Sequence, residues 1–149
     1  MSCENPESLG RMIYHTAQEI KNFAEKMLKP YELTLEQFHL LKHMAVDSGM
    51  SQRELGEKSN KTPANITRIL DRLELKKLIT RQSSEKDRRT THVLLTSDGD
   101  ALKLKVFASF ESFSSQLTKG ISKQKQEETK KALETIVKNL EIMSLSSQP

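Results

Sequence analysis

The chain has 149 residues, 24 Lys and Arg against 20 Asp and Glu, and is 35% hydrophobic, which fits one globular domain or one domain with helical arms. No apolar run approaches the ~20 residues that a membrane span needs, and the lone cysteine, Cys3, excludes an intrachain disulfide and suits a reducing cytoplasm. Tryptophan is absent and aromatics make up only 5%, a poor composition for stacking single-stranded bases. From the N-terminus, MSCENPESLG shows no basic region followed by an apolar core, so no secretory leader is expected. Leu9, Met12, Ile13, Ile20, Phe23 and Leu28 keep a three-four spacing that predicts a long amphipathic helix stopped near Pro30. Thr34 with Gln37 forms a capping box, opening a second helix with Phe38, Leu41, Met44 and Ala45 on one face and broken by Asp47-Ser48-Gly49.

Ser51 with Glu54 is a second capping box. The helix behind it is short, because Asn60 suits the left-handed position that ends one. Thr62-Pro63 opens the next, with proline at its first turn. Its apolar face is Ile66, Ile69, Leu70 and Leu73; Ala64, Arg68, Asp71 and Arg72 lie opposite, with Asn65 at the flank. Residues Ile79–Ser83 and Thr91–Thr96 predict a β-hairpin, with Thr91, Val93 and Leu95 on one side and His92 and Leu94 on the other. Ser97-Asp98-Gly99-Asp100 starts a long helix carrying Leu102, Val106, Phe110, Phe113 and Leu117, which Gly120 ends. Ser122 restarts a last helix striped by Leu133, Ile136, Val137, Leu140 and Met143, and the tail SLSSQP is expected to fray.

The fold class expected is mainly α with a small β-hairpin: a winged helix-turn-helix with long N- and C-terminal helices. Those outer helices carry apolar stripes that one small core cannot cover, so a second copy of the chain is expected to bury them. Between Ser51 and His92 there are eleven basic and six acidic residues, leaving thirteen basic and fourteen acidic elsewhere. The positive excess therefore sits in the helix-turn-helix and hairpin, as expected of a segment that meets a polyanion. The second helix of such a motif enters the major groove of duplex DNA with its N-terminal half at the base edges. Thr62, Ala64, Asn65 and Arg68 are the candidate readers, and Lys58, Arg72 and Lys76 the candidate phosphate contacts. The hairpin becomes a wing whose tip, Asp87-Arg88-Arg89, probes the adjacent minor groove. Arg89, or else Arg88, would insert, and Asp87 would brace the arginine or cap the turn.

The segments TPANITRILDRLELKKLITR and DRRTTHVLLTSDG resemble the MarR family of winged-helix regulators. The wing pattern D-x-R followed by L-T-x-x-G falls on Asp87, Arg89, Leu95, Thr96 and Gly99, and LTLEQFHLLKHM and SQRELGEKSNKT are similar to the family's preceding helices. The resemblance implies one MarR-like domain over 1–149: dimerisation helices at 1–30 and 100–145, and a DNA-binding head at 31–99. It further implies a homodimer on a pseudo-palindromic operator, and a small aromatic or phenolic effector seated between arms and head. Met12, His15, His43 and Met44 are the candidate ligand residues. Two positions depart from the family pattern. Lys77 stands where glycine is frequent, so it must adopt a left-handed backbone at ~1 kcal/mol or end its helix differently. Ser59 replaces an apolar residue, which is expected to loosen packing.

The alternative is a winged-helix module that docks a protein and never reads DNA; an apolar outer face on the second helix of the motif would favour it, and Ala64, Arg68 and Arg72 do not supply one. His39 and His43 have helical metal-ligand spacing, but no cysteine or tight carboxylate cluster lies near, so no metal is expected. Glu4 raises rather than lowers the pKa of Cys3, so a plain surface thiol is expected. No phosphate-binding glycine loop, G-x-S-x-G, HExxH or paired carboxylates occur, and neither catalysis nor a cofactor is expected.

Overall fold

A computed structural model describes residues 8–87 and 89–147. Cys3, Arg88 and the last two residues of the tail, Gln148 and Pro149, lie outside them. The chain forms two compact units, one ending at Ser109 and one beginning at Phe110. In order the elements are α1 (Leu9–Leu28), a 3₁₀ turn (Lys29–Tyr31), α2 (Leu35–Leu41), β1 (Met50–Ser51), α3 (Gln52–Ser59), α4 (Pro63–Leu75), β2 (Ile79–Ser83), β3 (Thr91–Leu95), α5 (Ser97–Leu117) and α6 (Lys123–Ser146). This is the mainly helical winged fold expected. None of the described helices is long and apolar enough to cross a membrane.

The start signals act locally. Both capping boxes form: Thr34 Oγ1 accepts from Gln37 N while Gln37 Oε1 accepts from Thr34 N, each at 3.2 Å. Ser51 and Glu54 do the same at 3.1 and 3.0 Å. Thr62 caps α4 by accepting from Asn65 N at 3.3 Å. Asn60 ends α3 at φ 53°, the left-handed conformation that asparagine tolerates.

Three expectations are corrected. First, α2 stops at Leu41, so Met44 and Ala45 do not continue its face. The next amides tighten to three-residue steps, His43 N to Leu40 O and Met44 N to Leu41 O. The carbonyl of Ala45 is taken by Leu95 N of β3 at 3.1 Å, a partner a continuing helix could not use. Second, the released segment supplies β1, absent from the sequence reading. Met50 pairs with Val93 and Ser51 with His92, giving a three-stranded antiparallel sheet in the order β1-β3-β2. Third, α6 extends into the tail as far as Ser146, and the Ser144 and Ser146 hydroxyls donate to the carbonyls four residues back.

The core of the first unit gathers Leu28, Leu40, Leu41, Leu55, Leu70, Leu73, Val93 and Val106, all fully buried. Phe38 meets Phe107 edge-on at 5.6 Å, and Tyr31 shares a hydrogen bond with Ser109 at 3.1 Å. The Ser59 hydroxyl turns back to the Leu55 carbonyl at 2.5 Å. Lys77 takes the left-handed backbone, φ 59°. Its carbonyl accepts from Thr96 Oγ1 at 2.8 Å, Thr96 N donates to Leu78 O at 3.0 Å, and Gly99 N donates back to Thr96 Oγ1 at 3.0 Å. The L-T-x-x-G pattern is thus a lock between the root of the wing and the first turn of α5. In the second unit, Phe110 and Phe113 meet edge-on at 6.3 Å, and Ser122 caps α6. None of α6's residues is buried.

Candidate nucleic-acid interface

Helix α4 buries Ile66, Ile69, Leu70 and Leu73 and leaves Ala64, Asn65, Thr67, Arg68, Asp71 and Arg72 exposed, because its apolar residues fall on one stripe of the 3.6-residue repeat. Arg68 Nη2 lies 3.5 Å from Asn65 Oδ1, so the two candidate readers sit together one turn into the helix. Lys58 and Arg72 have no ion-pair partner among the described residues.

The wing tip is ordered by Asp87. Its Oδ1 accepts from Arg89 N at 2.9 Å, its Oδ2 from Thr90 Oγ1 at 3.2 Å, and its carbonyl from Thr90 N at 3.0 Å. Ser84 Oγ accepts from the Lys86 and Asp87 amides at 3.3 and 3.4 Å. Of its two expected roles, Asp87 takes the capping one. The Arg89 guanidinium has no ion pair among the described residues.

Between wing and helices runs an open groove of about 920 Å³, lined by Arg89, Thr90 and Thr91 from the wing, Pro63, Ile66 and Thr67 from α4 with its cap Thr62, and Gln52, Arg53, Gly56 and Glu57 from α3 with its cap Asn60. Thr62 and Arg89, 27 residues apart in the chain, thus face one cleft. Gln52, Arg53 and Thr67 were missed by sequence reasoning; Gln52 and Arg53 follow the Ser51 cap, which was the only available pointer. Two cations near the cleft are already matched: Lys61 with Glu36 and Arg53 with Glu57, both at 3.2 Å.

Lys76 does not fit its expected place. Its ammonium donates to the Glu32 carbonyl and, at 3.2 Å, to Gln37 Oε1, so it ties the end of α4 to the start of α2. Gln37 is itself buried, and this bond helps satisfy it. Arg81 of β2 binds α4 instead, reaching Glu74 through Nε and Nη2 at 3.3 and 3.1 Å and Asp71 at 2.5 Å. The hydrogen bonds from Arg81 hold the Glu74 carboxyl below its usual range.

The candidate effector residues differ in exposure. Met12 and His15 are exposed on α1, His43 is exposed in the turn after α2, and Met44 is fully buried. Because α2 ends at Leu41, His39 and His43 no longer share one helix. His39 has its pKa lowered, mainly by partial burial and then by Lys42 and Lys61.

A MarR family model matches residues 33–91. The HTH-type transcriptional regulator SarZ of Staphylococcus aureus is 30% identical over 92 residues, a match covering 62% of this chain and 62% of SarZ. The chain therefore spans less than two thirds of the length of the curated relatives it matches. Among solved structures, the S. aureus MepR–DNA complex aligns with a TM-score of 0.81 at 24% identity, over 89% of this chain and 98% of that one. The transcriptional repressor CouR bound to a 23-mer DNA duplex aligns at 0.78 and 24%, over 88% and 93%. Wild-type MarR from E. coli aligns at 0.71 and 24%, over 89% and 98%.

Proposed function

We propose that this chain, which belongs to the MarR family through residues 33–91, regulates transcription by binding double-stranded DNA as a homodimer. The observation that carries the reading is the shared cleft: Thr62, Pro63 and Thr67 at the start of α4 and Arg89 of the wing line one groove, while Ala64, Asn65 and Arg68 lie exposed on the same half of the helix. Thr62, Ala64, Asn65 and Arg68 meet base edges, Lys58 and Arg72 meet phosphates, and Arg89 enters the minor groove, with Asp87 shaping the turn that presents it. Relatives of this fold include proteins solved with DNA, MepR and CouR. A repressor role, a pseudo-palindromic operator, a small aromatic or phenolic effector and a cytoplasmic location belong to the same proposal. The buried Met44 leaves Met12, His15 and His43 as the accessible effector contacts.

A salt titration tests it. Log affinity should fall linearly with log salt, by about 0.9 per neutralised phosphate. Lys58→Ala and Arg72→Ala should each flatten that slope by about 0.9 per contact, twice over in a dimer. Lys76→Ala should lower thermal stability and leave the slope unchanged. A flat salt dependence, or no duplex binding at low salt, would transfer the fold to the protein-docking alternative.

The dimer is supported by α6, whose Leu140, Met143 and Leu145 are 56%, 63% and 74% exposed. Apolar area left in water forgoes ~25 cal/mol per Å² of stabilisation, and a second copy would recover it. Leu140→Asp should shift micromolar protein from dimer to monomer in sedimentation and weaken DNA binding with it. A dimer of undiminished stability would place the seam elsewhere.

A further inference from the structure

We infer that Arg81 is a positioning residue that sets the angle between the wing and the recognition helix. The inference rests on the proposed DNA reading for its consequence, but its geometry stands alone. In the sheet order β1-β3-β2, β2 is an outer strand. The other edge is held by β1 through Met50 and Ser51. On the β2 side, among the described residues, the side chain that crosses to α4 by hydrogen bond or ion pair is Arg81, the middle residue of the strand. It stands opposite Val93, which is fully buried, so its stem lies over the sheet's core-facing side while its head emerges at α4.

The head engages both acids through two of its nitrogens. Nε and Nη2 grip both oxygens of Glu74 and Nη2 also reaches Asp71. These acids are three residues apart on α4, hence neighbours on its surface. An isolated surface ion pair contributes little. A planar fork engaging two carboxylates fixes direction as well as distance, which a lysine ammonium cannot do. The link from α4 to β2 is only Lys76, Lys77 and Leu78, with Lys77 left-handed. Arg81 therefore stops the wing from pivoting about that link, and holds Arg89 at a set distance from Asn65 and Arg68. It also offsets part of the negative charge of Asp71, which shares the exposed face of α4 with Arg68 and Arg72 and would otherwise repel phosphate more strongly.

The test separates alignment from charge. Affinities are measured for a duplex selected from a random pool and for an unrelated duplex of equal length, using the unaltered protein, Arg81→Gln, Arg81→Lys and the triple variant Arg81→Gln/Asp71→Asn/Glu74→Gln. Misplacing one reader should cost roughly tenfold on the selected duplex and much less on the unrelated one, so the ratio of the two falls in Arg81→Gln. Arg81→Lys should recover part of it. The triple variant, whose cluster is neutral where that of the unaltered protein carries a net charge of about −1, should match or exceed the unaltered protein on the unrelated duplex but not recover the ratio. An unchanged ratio in Arg81→Gln, or a ratio fully restored in the triple variant, overturns the inference. A second measurement needs no DNA. In a Cys3→Ser background, spin labels at Lys58→Cys and Lys86→Cys, diluted into unlabelled protein, should give a narrow distance distribution that Arg81→Gln broadens; an equally narrow one overturns the brace. Failure of the unaltered protein to bind any duplex would remove the proposed function, and the distance measurement would still decide the brace.

Discussion

Replacing Gly99 with alanine is expected to destabilise the fold by about 3 kcal/mol or more, lowering the thermal midpoint by roughly 6–12 °C for a chain of this size. Gly99 lies in the first turn of α5, where alanine would ordinarily help, since glycine is ~1 kcal/mol worse in a helix. Here a Cβ would stand 2.0 Å from the Leu78 carbonyl oxygen and 2.9 Å from its carbon. That oxygen already accepts the Thr96 amide. The added methyl thus collides with backbone at the point where Thr96 ties Lys77, Leu78 and Gly99 together, and no rotamer relieves it. The sign decides the matter: a midpoint that rises in thermal circular dichroism would show that α5 and the root of the wing do not approach this closely in solution.

Arg89→Ala is expected to cost duplex affinity without touching the fold. The side chain has no ion pair among the described residues, while the turn is held by Asp87, Ser84 and Thr90. Removing the guanidinium therefore leaves the backbone of the tip in place. A lost arginine contact is worth ~1–3 kcal/mol, and a dimer loses two, so affinity should drop roughly thirtyfold or more with an unchanged melting curve. Asp87→Ala should also weaken binding, but through a loosened tip, visible as faster amide exchange at Arg89 and Thr90. Unaltered affinity in Arg89→Ala would mean that the wing is not a contact at all.

The features readable from sequence are those whose causes lie within one turn of helix. The Thr34/Gln37 and Ser51/Glu54 boxes, Thr62 before Pro63 and the stop at Asn60 set their helices from side chains three or four residues away. The stripe of α4 and the strands of the wing follow from periodicity alone. What went unread depends on distant partners. Met44 and Ala45 continue an apolar three-four pattern, yet Leu95, fifty residues on, claims the Ala45 carbonyl and turns the segment into a sheet edge. Lys76 lies on α4's polar surface by any wheel, but Glu32 and Gln37 come within its reach only once the chain has folded back. Arg81 reads as one more cation in a basic window until Asp71 and Glu74 are seen beside it. At the interface, periodicity showed which face of α4 is polar, and the wing's spacing showed where its tip falls. That Arg89 of the wing and the start of α4, from Thr62 to Thr67, line one groove is a tertiary fact.

The hydrogen bonds around Asp87 have a kinetic corollary. A fingertip in which the Asp87 carboxylate holds the Arg89 amide and the Thr90 hydroxyl, and Ser84 the Lys86 and Asp87 amides, has given up part of its conformational freedom before any encounter. Less entropy remains to be lost there on docking. Association at the wing should then resemble insertion of a finished shape, limited by diffusion and electrostatic steering, with differences between target sequences expressed mainly in how long the bound state survives.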